Sequence, residues 1–140
     1  MNQKKALTRS MDILLVITNL VFLIGLRTFA SACGMKEDGT WMTCHWAMQA
    51  LSGIAAVLLA DSVLNLFLRD PGIKTGIMAA MIPAAILCII LPGNLIGLCM
   101  MDTMHCHTVM RPFSILMSIA DLVLAAVGII KAIRTQRKIS

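Results

Sequence analysis

Four apolar stretches of membrane-crossing length occupy most of this 140-residue chain, at about 11–32, 46–68, 76–98 and 112–130. A helix needs roughly 20 apolar residues to cross a ~30 Å hydrocarbon core. Inside hydrocarbon the backbone amides must be satisfied within the chain, so such stretches can only be helices. Too few residues remain for a separate soluble domain. Composition agrees: 59% of residues are hydrophobic, 14% are charged, and mean hydropathy is +0.86, beyond the balance of a soluble protein. The expected fold class is all-α membrane protein, a single four-helix transmembrane domain over residues 1–140.

The basic residues orient it. Lys4, Lys5 and Arg9 precede helix 1, Arg69 and Lys74 lie between helices 2 and 3, and Lys131, Arg134, Arg137 and Lys138 lie at or after the end of helix 4. Nine of the twelve basic residues therefore fall on one side. The other side carries Lys36 and Arg111 against Glu37, Asp38 and Asp102. The positive-inside rule places both termini in the cytoplasm. Trp41 and Trp46 suit the aromatic belt of the outer interface. A competing reading takes the start as a lipoprotein-type signal ending at Ala30-Ser31-Ala32-Cys33. Arg27 and the length of the apolar run favour a retained helix.

The chain reads as a repeat of two hairpins, 11–68 and 76–130. Met-x-Cys-His occurs at Met42-Thr43-Cys44-His45 and at Met104-His105-Cys106-His107. Each copy opens an apolar helix, and each follows a cysteine at the end of the previous one, Cys33 and Cys99. All three histidines and four of the five cysteines lie in this pattern. Both copies face the exoplasmic side under the orientation above. The loop 34–40 is polar, with glycines for a tight return, and Arg69-Asp70-Pro71-Gly72 is a turn sequence. Pro92-Gly93-Asn94 is expected to kink helix 3 just below the second motif.

The residues Cys33-Gly34, Glu37-Asp38-Gly39 and Met42-Thr43-Cys44-His45-Trp46 together resemble a family of small bacterial and archaeal membrane proteins, domain-of-unknown-function family 4418. Leu95-Ile96-Gly97-Leu98-Cys99, Cys106-His107 and Pro112 extend the resemblance over nearly the whole chain. His105 is outside the expected pattern. The resemblance implies a four-helix membrane protein and no particular activity. It also implies a place beside an ABC-type permease, as an accessory subunit.

Three chemistries fit the outer cluster. The first is structural disulfides among Cys33, Cys44, Cys99 and Cys106. Four cysteines allow three pairings, and the recurrent spacing favours pairs within each hairpin. The second is a soft metal, Cu(I) or Zn(II), on Cys44, His45, Cys106 and His107, with thioethers from Met42 and Met104. Adjacent Cys and His diverge by ~100° on a helix, so using both members requires an irregular backbone. The third is a quinone-linked thiol-disulfide oxidoreductase, in which a helix start beside an imidazole activates Cys44 or Cys106. The chain has no C-x-x-C for it.

Polar residues inside the apolar stretches are functional candidates in their own right. They include Arg27, Asn19, Asp61 and Asp121. Counting ~1.5 Å per residue from the outer boundary, Asp61 lies ~24 Å deep and Asp121 ~18 Å. Asp61 is then within reach of Arg69 near the inner headgroups. Asp121 shares a level with Asn19 and is expected to clamp against it. Arg27 and Gln49 share an outer level. Cys88 is expected to be an inert buried thiol.

These readings converge on a small integral protein of the cytoplasmic membrane. Its expected role is a structural or accessory subunit, its exoplasmic Cys/His/Met cap held by disulfides or a soft metal. The alternatives are a Cu(I)/Zn(II)-handling protein and the oxidoreductase. No catalytic residue is singled out. The expected partners are the lipid bilayer, an ABC-type permease or other membrane protein, and a second copy of the chain; nucleic acid is not among them.

Overall fold

The computed structural model describes residues 2–101 and 103–139; Asp102, one of the outer-loop acids, lies outside them. Four α-helices form: α1 Asn2–Arg27, α2 Thr43–Phe67, α3 Pro71–Ile90 and α4 Arg111–Ile139. The chain leaves helical geometry after α3, at Pro92 and Gly93, and a five-residue π-helical turn leads into α4 over Cys106–Met110. All four helices are long and apolar enough to cross a membrane. Each packs on its chain neighbours, and α1 also meets α4, which closes the ring.

The buried residues follow a 3-4 alternation. On α1 they include Asp12, Leu15, Asn19, Phe22 and Leu26; on α2, Cys44, Met48, Leu51, Ala55, Leu58, Ser62 and Asn65. On α3 the seam runs Met78, Met81, Ala85 and Cys88, and on α4 it runs through Ser114, Ser118, Asp121, Ala125 and Gly128. Such a stripe lets side chains of one helix seat between those of its neighbours at a shallow crossing angle. Its small members, including Ala55, Ala85, Ala125 and the two serines of α4, let the backbones approach.

The polarity of inside and outside is reversed relative to a soluble bundle. Ile17, Leu116, Val123 and Phe67 face outward, while Asn19, Ser62, Asn65 and Asp121 are fully buried. Water would make both placements costly. A hydrocarbon solvent makes both favourable, because the exposed side chains dissolve in it and the polar ones find partners inside.

The elements differ from the apolar stretches mainly at their ends. α1 starts near the N-terminus and α4 runs on to Ile139, since hydropathy marks the bilayer's thickness and a helix can continue into water. The break in helix 3 is sharper than a kink. Pro92 has ψ of 112° and Gly93 φ of +93°, a left-handed conformation that glycine adopts without steric cost. Ile96 N then donates to the Leu91 carbonyl at 3.1 Å, closing the end of the helix. The loop before α2 is a small turn in which Met35 and Trp41 bridge, Lys36 N donates to the Thr40 carbonyl at 2.9 Å, and Gly39 has φ of +83°.

Close packing between α1 and α4 rests on Gly25. A Cβ there would lie 2.4 Å from the Phe113 ring, which is held edge-on between Phe22 and Phe29, its centroid 5.9 and 4.9 Å from theirs. Gly53 has nothing nearby. Gly25→Leu is therefore expected to destabilise the protein by about 1–3 kcal/mol through overpacking. Gly53→Leu is expected to be near neutral. Thermal unfolding in detergent, compared with the parent chain, measures both.

Candidate functional site

The connection after α1 and the connection after α3 end at the same end of the bundle, and each brings one cysteine. Cys33 comes from the first and Cys99 from the second. Cys44 stands in the first turn of α2, and Cys106 opens the π-turn before α4. The four Sγ atoms all lie within 4.8 Å of one another. Cys44 Sγ is 2.9 Å from Cys99 Sγ, and Cys33 Sγ is 3.6 Å from Cys106 Sγ. Both of these contacts cross the two halves, while Cys99 and Cys106, which the spacing in sequence would pair within one half, also lie within 4.8 Å of each other. Helix packing decides this. Cys44 and Cys106 occupy the first inward positions of α2 and α4, and the two returning connections lay Cys33 and Cys99 between them.

The centre is shielded. Cys44 and Cys106 are fully buried, and Cys33 and Cys99 are half-buried. Met42 Sδ accepts from the Cys99 thiol at 3.8 Å. Met48 Sδ accepts from Ala32 N at 3.3 Å, fixing the chain just before Cys33. Met104 packs against the same core.

The histidines stand differently from the cysteines they follow. His45 stacks on Trp41, ring centroids 4.0 Å apart at 20°, with Trp46 edge-on at 5.7 Å. α2 is regular from Thr43, so the ~100° step between neighbours turns His45 away from the seam that Cys44 joins. His107 Nε2 is 2.7 Å from the Cys99 carbonyl oxygen. As a donor there it ties down the backbone that carries Cys99. His105 is exposed. Of the residues read from sequence as metal ligands, Cys44 and Cys106 are in the sulfur cluster, Met42 borders it, Met104 packs nearby, and His45 and His107 make the contacts just described.

Burial pushes the Cys33 thiol up, with the Cys106 sulfur adding to the effect. Burial also pushes Cys99 up strongly, helped by Cys44. Uncharged thiols crowded together in a poorly solvated place resist ionisation, and a bound cation removes that obstacle by taking the thiolate as ligand. At the loop tip, Asp38 is held below the usual carboxylate range by the side chain and then the backbone amide of Thr40, whose hydroxyl and amide donate at 2.7 and 3.1 Å.

The intramembrane polar residues form a second group. Asn19 Nδ2 lies 3.1 Å from Asp121 Oδ1, the contact expected from their shared depth, and 2.9 Å from Ser62 Oγ. Toward the opposite end of the bundle, Lys74 pairs with Asp12, which also accepts from Asn65 Nδ2 at 3.0 Å. Sequence reading passed over Ser62, Asn65 and Asp12, and used Lys74 only as a basic residue between helices 2 and 3. The signal was present in register, since Asp12 and Ser62 fall on the 3-4 stripes of their helices. Asp61 is half-buried with no ion pair to Arg69 among the described residues, and Arg27 and Gln49 are exposed. Cys88 is fully buried.

A family model described as "Domain of unknown function (DUF4418)" matches residues 15–131. No curated protein and no solved structure matches the chain.

The raised thiols give a pH dependence. In the reduced, metal-free protein at neutral pH, Cys33 and Cys99 are expected to react with iodoacetamide more slowly than a free cysteine. Their rates should rise only as pH climbs past the ordinary thiol range of about 8.5. Cys88 stays unlabelled throughout. Peptide mass spectrometry of timed samples reads all three.

Proposed function

We propose, for a chain that belongs to the DUF4418 family, that the protein is a non-enzymatic membrane subunit closed at its exoplasmic end by one soft metal ion on Cys33, Cys44, Cys99 and Cys106. The convergence of four sulfurs from both halves of the chain within 4.8 Å carries this reading. A zinc ion with Zn–S near 2.3 Å sets tetrahedral sulfurs roughly 3.8 Å apart; here two of the pairs stand at 2.9 and 3.6 Å and all lie within 4.8 Å. An all-thiolate set suits Zn(II) first and Cu(I) next. A closed site with no open position is the structural kind; catalytic sites keep one ligand place free.

In this reading residues 1–140 form one domain of two tandem hairpins, with both termini in the cytoplasm of a cell whose plasma membrane it spans. The metal ties the hairpins together at the exoplasmic face. Binding energy of that kind counts directly toward folding. The outward apolar faces serve the bilayer and a membrane partner such as a permease.

The cross-half distances favour one second reading. Oxidation would join Cys44 to Cys99 and Cys33 to Cys106, sulfurs already in contact. That too would lock the two halves together, and an exoplasmic site is oxidising enough to allow it.

Intact mass spectrometry beside elemental analysis of the purified chain separates these readings. The metal centre predicts about one zinc or copper per chain, lost in Cys44→Ser and in Cys99→Ser and retained in His45→Ala and His107→Ala. Disulfides predict a metal-free chain lighter by four hydrogens, with both bonds crossing the halves. Metal lost from the His45→Ala/His107→Ala double variant would instead support a mixed Cys/His metal-handling site and overturn the four-thiolate assignment.

A further inference from the structure

The cysteine centre uses nothing from the middle of the bundle, yet a dense polar cluster lies there. Asn19 Nδ2 is within 2.9 Å of Ser62 Oγ, 3.0 Å of the Leu15 carbonyl and 3.1 Å of Asp121 Oδ1. A side-chain amide has two hydrogens, so three acceptors compete for them. The Ser62 hydroxyl hydrogen is already given to the Leu58 carbonyl at 2.7 Å. Interchanging the two amide atoms of Asn19 would only set its oxygen against the same acceptors. Asn19 Oδ1 and Asp121 Oδ2 accept nothing among the described residues, although both residues are fully buried. Oxygen lone pairs therefore outnumber the hydrogens available to them.

Among the described residues no neighbouring charge offsets the carboxylate. On α1, Asp12 is another acid, and it holds Lys74 of α3. On α2, Asp61 is a third acid, half-buried. On α3, the Cys88 thiol interacts electrostatically with Asp121 and brings no positive charge. On α4, Lys131 Nζ is directed to Met11 Sδ at 2.7 Å. An ionised carboxylate enclosed in a membrane bundle with a single shared donor needs a positive partner.

We propose that Asp121, Asn19 and Ser62 form an intramembrane site for one monovalent cation. The cation is either a proton on Asp121 or a sodium ion shared by the carboxylate and its oxygen neighbours. Both supply the missing positive charge to oxygen ligands. Toward the cysteines lie the buried Phe22, Leu51 and Met110 together with the buried hydroxyls of Ser52, Ser114 and Ser118. Away from them, buried polar groups continue: Asn65 lies one turn further along α2, bonded to Asp12, which in turn holds Lys74 near the start of α3.

Dicyclohexylcarbodiimide, an apolar reagent for protonated carboxyl groups, tests this on the full chain in detergent, with peptide mass spectrometry locating the label. Label on Asp121 in sodium-free buffer is expected, and Asp121→Asn removes it. For a proton, labelling is lost as pH rises and is the same in sodium and potassium chloride. For sodium, it is suppressed at fixed pH by sodium chloride and not by potassium chloride. Absence of label on Asp121 at every pH in sodium-free buffer overturns the proposal. So does labelling that ignores both pH and sodium. The wild-type chain alone gives these readouts, so they do not depend on any variant folding.

Discussion

A solvent that cannot hydrogen-bond governs the rest of this structure. The helices are long and apolar enough for a bilayer, and their outward faces are mostly apolar. Polar side chains on these stretches have one place to go, the seam between helices. That is where Asp12, Asn19, Ser62, Asn65, Ser114, Ser118 and Asp121 are found. The serines return their hydroxyls to their own helix, as Ser114 does to the Met110 carbonyl at 2.8 Å and Ser118 to the Ser114 carbonyl at 2.7 Å. Asn19 also reaches its own Leu15 carbonyl, but it, Asn65 and the carboxylates bond across helices as well. These cross-links fix which faces meet, and so the register of the whole bundle.

The cysteine centre follows from that register. Cys44 heads the inward stripe of α2, and Cys106 heads the stripe that continues through Met110 and Ser114 of α4. A bundle that seats Asn19 against Ser62 and Asp121 also turns these two sulfurs toward the common axis at its end. The connections then need only return close over the bundle to bring Cys33 and Cys99 into range. Gly93, in its left-handed conformation, makes the sharp end of α3 that lets the second connection do so. The same helical step that points Cys44 inward carries His45 onto Trp41. One repeated dipeptide thus yields a sulfur on the axis and an imidazole beside it with a separate task.

Much of this could be read from the chain, and the rest fails for identifiable reasons. Four apolar runs gave the helix count, because bilayer thickness imposes a length. They did not give helix ends, because α4 continues past Ile130 as a helix that water tolerates. Depth along the helices placed Asn19 opposite Asp121, since rise per residue is fixed. Ser62 escaped notice because serine is unremarkable until its face is known. Cys33 and Cys99 stood out by repetition, but which sulfurs approach most closely depends on how four helix ends converge, which spacing along the chain cannot reveal. Adjacent Cys and His looked like a ligand pair, and the regular first turn of α2 separates them. The apolar outer faces also hide the seam's periodicity from hydropathy, because most seam residues are apolar too and the few polar ones lie inside.

The central claim is that four thiolates, and no imidazole, hold one metal across the two halves of the chain. X-ray absorption at the metal edge of the purified protein tests it most directly. The account predicts a single shell of four sulfur ligands near 2.3 Å for zinc, unchanged in His45→Ala and His107→Ala. A mixed sulfur and nitrogen shell, or a protein whose cysteines are oxidised and metal-free as isolated, would contradict it.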